Sequence, residues 1–351
     1  MIFIFIIEIH KTMSLNRPVW KLRDWIDIDK LNFIMLSANT HPKTIDILKL
    51  KPKNIDWSKL SIINNDETIE YLLKNQNKID FLKLSGNTND GAINFLSKNI
   101  DKINTYYLSK NNNDNTIKLL NKNQSKINWI ALSLNTNDEA IKILEDNPDK
   151  IVWFNLSSNT NDRAIKLLED NPDKIVWYNL ALNTNDRAIK LLEDNPDKIV
   201  WLNLSYNNND RALKLLEDNQ DKIFWSYLSY NTNDRAIKIL KNNKNEINWN
   251  YLSLNTNDKA IKMLEDNEDK IHWLNLSYNT NNRAIKLLEK NQDKINWYGF
   301  SSNPIIFEMD YEAMKRNNEE FDEELIKEIM KPLRLFKMIN DYGEDYLEFM
   351  Y

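Results

Sequence analysis

The chain has 351 residues, of which 42% are hydrophobic and 28% charged, a balance too apolar for a disordered polypeptide. Lys and Arg number 47 against 52 Asp and Glu, leaving a net charge of −5 and a pI near 5.5, which argues against wholesale binding to nucleic acid or to an anionic membrane. Cysteine is absent, so disulfides and thiolate metal sites are excluded, and the four glycines are too few for Gly-dependent hairpins or phosphate-cradling loops.

The chain opens on MIFIFIIEI, apolar but too short to span a bilayer and without the basic leader or small-residue cleavage site of a secretory signal. Met13, in MSLNRPVW, is an equally good initiator, and the native protein is expected to begin there. Asn16 to Asp27 carries Trp20 and Trp25 and reads as a cap, making residues 1–27 an N-terminal tail and cap. A terminal repeat with no neighbour on one side needs an atypical outer face.

Residues 28–303 repeat one phrase of 24 residues without an insertion, cleanest from Asn147 to Asp170: NPDKIVWFNLSSNTNDRAIKLLED. Twelve copies are marked by the column Phe33, Trp57, Phe81, Thr105, Trp129, Trp153, Trp177, Trp201, Trp225, Trp249, Trp273 and Trp297. Self-similarity at a fixed period of this size is the signature of a repeat architecture, in which each copy touches only its neighbours.

Each copy holds two segments. In Asp162–Glu169 the apolar Ala164, Ile165, Leu167 and Leu168 fall on one side at helical spacing, with Arg163, Lys166 and Glu169 on the other. Asp162 suits the first turn and is expected to pair with Lys166 at i,i+4. Asn171 before Pro172 ends the helix. The aromatic segment is preceded by Asn or Asp in seven copies, preferred N-cap residues; at Asn128, Ile127 and Leu132 stand where a hydrophobic staple would. It therefore reads as a short helix of one to two turns. The alternative is a leucine-rich-repeat-like α/β solenoid, since Trp177-x-x-Leu180-x-Leu182-x-x-Asn185 imitates that phrase. Ala38, Gly86, Lys110, Ser158 and Ser302 at the second apolar site count against a buried strand face. The expected fold is all-α: an α-solenoid of twelve helix-turn-helix repeats with N- and C-terminal caps, burying Trp, Leu, Ala, Ile and Leu in one core and extending on the order of 100 Å along its axis.

After Asn303 the period stops, and residues 304–351 read as a C-terminal helical cap: Asp310 to Asn317, Glu319 to Met330, and a last short helix with Leu333, Leu335, Phe336 and Ile339 on its apolar face.

The phrase LSxN…AIxLLExNPDKIxW and the ending SSNPIIFEMDYEAMKRN…EELIKEIMKPLRL resemble the short-repeat proteins found as large paralogous sets in giant DNA viruses of amoebae. The resemblance covers the repeats and the C-terminal cap. It departs before the longer helix, where that family usually reads N-P-x-A-I and the central copies here read N-T-N-D-R-A-I. It implies viral origin, expression in the host cell cytoplasm or presence in the virion without secretion, and a family lacking an established activity; it does not imply an enzyme.

Residues that could carry chemistry read as structural. His10, His41 and His272 lie far apart without a ligating partner at metal spacing, and no P-loop, dinucleotide or nucleophile-elbow motif is present. Asp162, Glu169 and Asp170 recur as Asp186, Glu193 and Asp194, whereas a catalytic carboxylate pair depends on a unique environment. Arg163, Arg187, Arg211, Arg235 and Arg283 form a ladder that could read one nucleotide per repeat, but each shares its helix with carboxylates. Asn159 and Asn171 stand at helix ends, where Asn tolerates the left-handed conformation and bonds local backbone.

Fixed columns serve the core, so specificity is expected in the variable ones. These lie one and five places after the aromatic: Phe154/Ser158, Tyr178/Leu182, Leu202/Tyr206, Ser226/Tyr230, Asn250/Leu254 and Leu274/Tyr278. On a helix such pairs share a surface. Tyr178, Leu182, Leu202, Tyr206, Tyr230, Leu254, Leu274 and Tyr278 are the candidate partner-binding residues. The functional expectation is a non-catalytic scaffold for a protein partner, with no enzyme activity, cofactor, metal or membrane association. A nucleic-acid-binding repeat protein is the alternative.

Overall fold

A computed structural model describes residues 18–317. The apolar start, Met13, and the helices expected beyond residue 317 lie outside the described residues. The fold is a helical-repeat solenoid, with no strand inside any described repeat.

One copy shows how the sequence builds it. The short helix Trp153–Leu156 is a single turn. After a tight turn, Asn161 caps the long helix Asp162–Asp170 by accepting from the Arg163 amide at 2.8 Å. Asn171, at φ −134°, ψ 62°, leaves the helix, and its side chain donates to the Leu167 carbonyl at 2.8 Å. Pro172–Lys174 then forms one 3₁₀ turn, which the fixed φ of proline suits. The short helices are capped as their spacing predicts: Asn32, Asp56, Asp80, Asn104, Asn128, Asn248 and Asn296 each accept from a backbone amide three residues on. His272 takes the same role through Nδ1, so this histidine is a cap.

Three expected details change. Lys166 pairs with Asp170 at 2.6 Å, not with Asp162, because Asp162 accepts from Asn185 of the following repeat at 2.7 Å. Asn171 is not left-handed, since its φ is negative. Asn159 bonds local backbone as expected, but it is also buried, and its amide donates to the carbonyls of Ser133 and Asn135 in the preceding repeat at 3.1 and 2.9 Å. Its oxygen accepts from the Asn161 amide at 3.0 Å. A serine column adds a second rung, with Ser157 Oγ donating to the Trp153 carbonyl and accepting from the Val176 amide of the next repeat.

Between the two helical layers lie Ile151, Leu156, Ala164, Ile165 and Leu168, all buried. A fully buried leucine such as Leu168 contributes roughly 1.5–3 kcal/mol relative to exposure. The tryptophans do not belong wholly to this core. Trp153 and its counterparts are half-buried, and a lysine from the next repeat lies over the ring in several copies, as Lys270 over Trp249 at 4.7 Å and Lys294 over Trp273 at 4.5 Å.

The stack does not run on as an open superhelix. The Asn32 amide donates to Ser301 Oγ at 2.8 Å, and Asn39 donates to the carbonyls of Ser301 and Asn303 at 3.1 and 2.8 Å. These are the bonds by which Asn159 and Ser157 join their own neighbours, now made between the first repeat and the twelfth. Lys30 lies over Trp297 at 5.3 Å in the same register, and Trp25 stacks on Phe300 at 5.8 Å. The expected axial extension is therefore not realised, because the twelve repeats close into a ring, each turning by about 30°.

The described residues divide into two compact units. Trp25–Ile306 is the ring; residues 18–24 and 307–317 belong to the other. In the latter, strand β1 (Trp20–Leu22) pairs antiparallel with strand β2 (Phe307–Met309), Trp20 opposite Met309, and Arg23 bridges to Glu308 at 3.0 Å. These strands were not foreseen. Residues 311–317 are helical, within the expected span, and Asp310 caps them through the Ala313 amide.

Candidate interaction surface

The geometry of one helical turn decides which side chains face outward. Leu156 points into the core, and at about 100° per residue the positions two before and two after it stand some 200° away, on the opposite side. Those are the positions one and five after the aromatic. Accordingly Tyr178, Leu182, Tyr206, Tyr230, Leu274 and Tyr278 are exposed, with Tyr178 at 52% and Tyr206 at 48%. Leu202 and Leu254 are half-buried. Ile34, Ile62, Leu82, Tyr106, Ile130, Phe154 and Tyr298 extend the same columns, so an apolar belt follows the short helices round the ring.

Within the belt the tyrosines form a connected cluster. Tyr206 and Tyr230 stack with centroids 5.6 Å apart and planes at 14°. Tyr227 meets Tyr206 edge-on at 6.0 Å, and Tyr251 meets Tyr230 edge-on at 6.5 Å. Partial burial, and then the neighbouring Tyr230, push the Tyr206 hydroxyl above the usual tyrosine value. Tyr227 and Tyr251 sit two places after the aromatic, a column the sequence reading passed over. Its occupants range from Asn to Lys to Gly, and only spatial contact with Tyr206 and Tyr230 brings these two into the surface.

The long helices present a different surface, closed on itself. Arg187 donates through Nε to Glu169 Oε1 of the preceding repeat at 3.0 Å, and a second bond runs from Nη2 to Oε2. The same two-pronged pair joins Arg163 to Glu145, Arg211 to Glu193 and Arg283 to Glu265, while Arg235 reaches Glu217 through one bond at 2.8 Å. The guanidinium groups of Arg163, Arg187, Arg211 and Arg283 are held more firmly protonated, first by the hydrogen bond to the glutamate. The arginine ladder is thus a row of inter-repeat clamps. Lower on the same helices Asp90, bonded by Asn115 and then Asn113, and Asp234, bonded by Lys259 and then Asn257, are held below the usual carboxylate range.

Among the described residues no group of three or more His, Asp or Glu side chains could hold a metal ion, and no helix is long and apolar enough to cross a membrane. His41 is driven toward its neutral form by burial and then by Lys43, and its Nδ1 accepts from the Lys43 amide at 3.2 Å. No protein-family model, curated protein or solved structure matches the chain.

Proposed function

We propose that this protein is a non-catalytic scaffold that holds a protein partner along the belt of its short helices. The observation that carries the reading is the contrast between the two exposed surfaces. The belt leaves tyrosine, leucine and isoleucine side chains uncovered in copy after copy, and aromatic residues are the anchors of protein interfaces. The charged ladder, by contrast, spends its arginines on the glutamates of neighbouring repeats. This weighs against the nucleic-acid reading, because an arginine clamped by a carboxylate must give up that pair before it neutralises a phosphate. The resemblance to giant-virus repeat proteins supports a partner met in an infected host cell or in the virion.

The test is affinity capture from infected host cells with the intact protein and two variants. Tyr206→Ala with Tyr230→Ala is expected to lower recovery of a discrete protein partner at least tenfold, and Arg187→Ala to leave it unchanged. Saturable RNA binding with a steep salt slope, lost in Arg187→Ala and retained in the tyrosine variant, would replace this reading with the nucleic-acid one.

A further inference from the structure

The ninth and tenth repeats break a charge pattern that otherwise runs from the fifth repeat to the eleventh. At the place where Glu145, Glu169, Glu193, Glu217 and Glu265 receive an arginine from the next repeat, the ninth repeat carries Lys241, and the tenth repeat answers with Lys259. The clamp between long helices Asp234–Asn242 and Asp258–Glu265 therefore places two cations where the five pairs from Glu145 with Arg163 to Glu265 with Arg283 set Arg against Glu. Lys259 turns away to Asp234 Oδ2 at 2.7 Å. A second carboxylate is missing as well: Lys166, Lys214 and Lys262 each pair with an aspartate four residues on, whereas Lys238 finds Asn242 there. Lys238 and Lys241 are exposed and make no ion pair among the described residues.

Between these helices runs a groove of about 430 Å³ lined by Asp234, Arg235, Ile237, Lys238, Lys241 and Lys259. Arg235 is bound to Glu217 and Lys259 to Asp234, so the uncompensated charge is that of Lys238 and Lys241. We propose that this groove binds a short acidic peptide segment of a partner protein, two of its carboxylates meeting Lys238 and Lys241. The length of the segment follows from the flanks. The repeats on either side restore Glu217 with Asp218 and Glu265 with Asp266, so the cationic stretch is one interface wide. A polyanion that continued past it would meet like charge in both directions, which disfavours a nucleic-acid strand. This site is independent of the belt and shares no residue with it.

The experiment is fluorescence anisotropy at low salt with a labelled hexaglutamate peptide, a length-matched glutamine peptide and a labelled single-stranded RNA. The decisive variant is Lys241→Glu with Asn242→Asp. It installs the two residues that neighbouring repeats already carry and offers Lys238 the carboxylate four residues on that it lacks, so folding is preserved, as circular dichroism will show. The intact protein is expected to bind hexaglutamate and not the glutamine peptide, and the double variant to bind it at least tenfold more weakly. No binding of hexaglutamate by the intact protein, equal binding by the double variant, or tighter variant-sensitive binding of the RNA would each overturn the assignment.

Discussion

The buried asparagine, present in eleven of the twelve turns and replaced by Ile63 in the second, is the residue on which the repeat interface depends. Asn159 satisfies two carbonyls of the preceding copy and one amide of its own, all inside the protein. Asn159→Ala strands these groups away from water, and a loss of about 1–3 kcal/mol in chemical denaturation is expected. The bridging role was not legible in the sequence: a column of asparagines every 24 residues accounts for the local turn bond by itself, and only spatial register shows the bridge between copies added to it. The serine column makes the converse prediction. Eleven of its twelve places hold serine, each accepting from the next repeat's amide, but Ala181 leaves the Val200 amide without that hydroxyl. Ala181→Ser should stabilise the protein by about 1 kcal/mol, read as a raised denaturation midpoint with unchanged slope. The carboxylates set the acid limit. Asp90 and Asp234 titrate below the usual range in the folded chain, so they contribute stability above that range, and it is lost as pH falls through their lowered values. His41, driven toward neutrality, acts in the same direction at somewhat higher pH. Melting temperature should therefore hold near neutral pH and decline on acidification; a rise on acidification would contradict these environments.

At the scale of the element, the helices were legible and the strands were not. Asn or Asp before the aromatic and the apolar face of Asp162–Asp170 carry their own signals, caps and periodicity, within a few residues. β1 and β2 are three residues each and find their partner some 285 residues away, as Arg23 finds Glu308, so no local pattern announces them. The tryptophan illustrates the limit of composition. A large aromatic in every copy reads as core, yet the ring lies at the edge of the layer under a neighbouring lysine. Trp201→Ala should consequently cost less than the roughly 3–5 kcal/mol of a buried aromatic, and Leu204→Ala, wholly buried, should cost about 2–5 kcal/mol. Hydrogen exchange in Leu204→Ala should loosen from Leu180 to Leu228 and leave distant repeats protected; even loss of protection all round the ring would show that the repeats do not act as nearest neighbours. The belt makes its own prediction. Tyr206→Ala with Tyr230→Ala removes exposed rings that stack chiefly on each other, so the melting temperature should shift by only a degree or two, and a large fall would place the tyrosines in the core.

For the molecule, periodicity told how many repeats there are but not that they meet. Curvature comes from a small difference in spacing between the two helical layers, the same in every copy, and nothing in a copy's sequence records the sum over twelve. Closure is nonetheless sensitive to number. Deleting residues 148–171, one whole period, leaves every phrase intact and joins like to like. Eleven repeats must each turn by about 33° to close. The deletion variant is expected to fold with unchanged helical content per residue but to melt earlier than the intact ring, and equal or higher stability would mean that twelve is not the number the repeat geometry prefers.

The contact between Asn39 and the carbonyls of Ser301 and Asn303 joins two different surfaces of one chain, the leading face of the first repeat and the trailing face of the last. Such a head-to-tail contact is satisfied equally well by another molecule. What keeps it within one chain is tethering, which holds the two faces at an effective concentration far above that of any second copy. An opened molecule is therefore a monomer of a polymer: crowded copies that part at this seam can relink end to end into larger rings or open chains. Asn39→Ala, which removes two bonds across the seam and one local bond to the His41 amide, should bring this within reach, with light scattering after partial denaturation and refolding at high concentration showing discrete multiples of the 41.8 kDa chain.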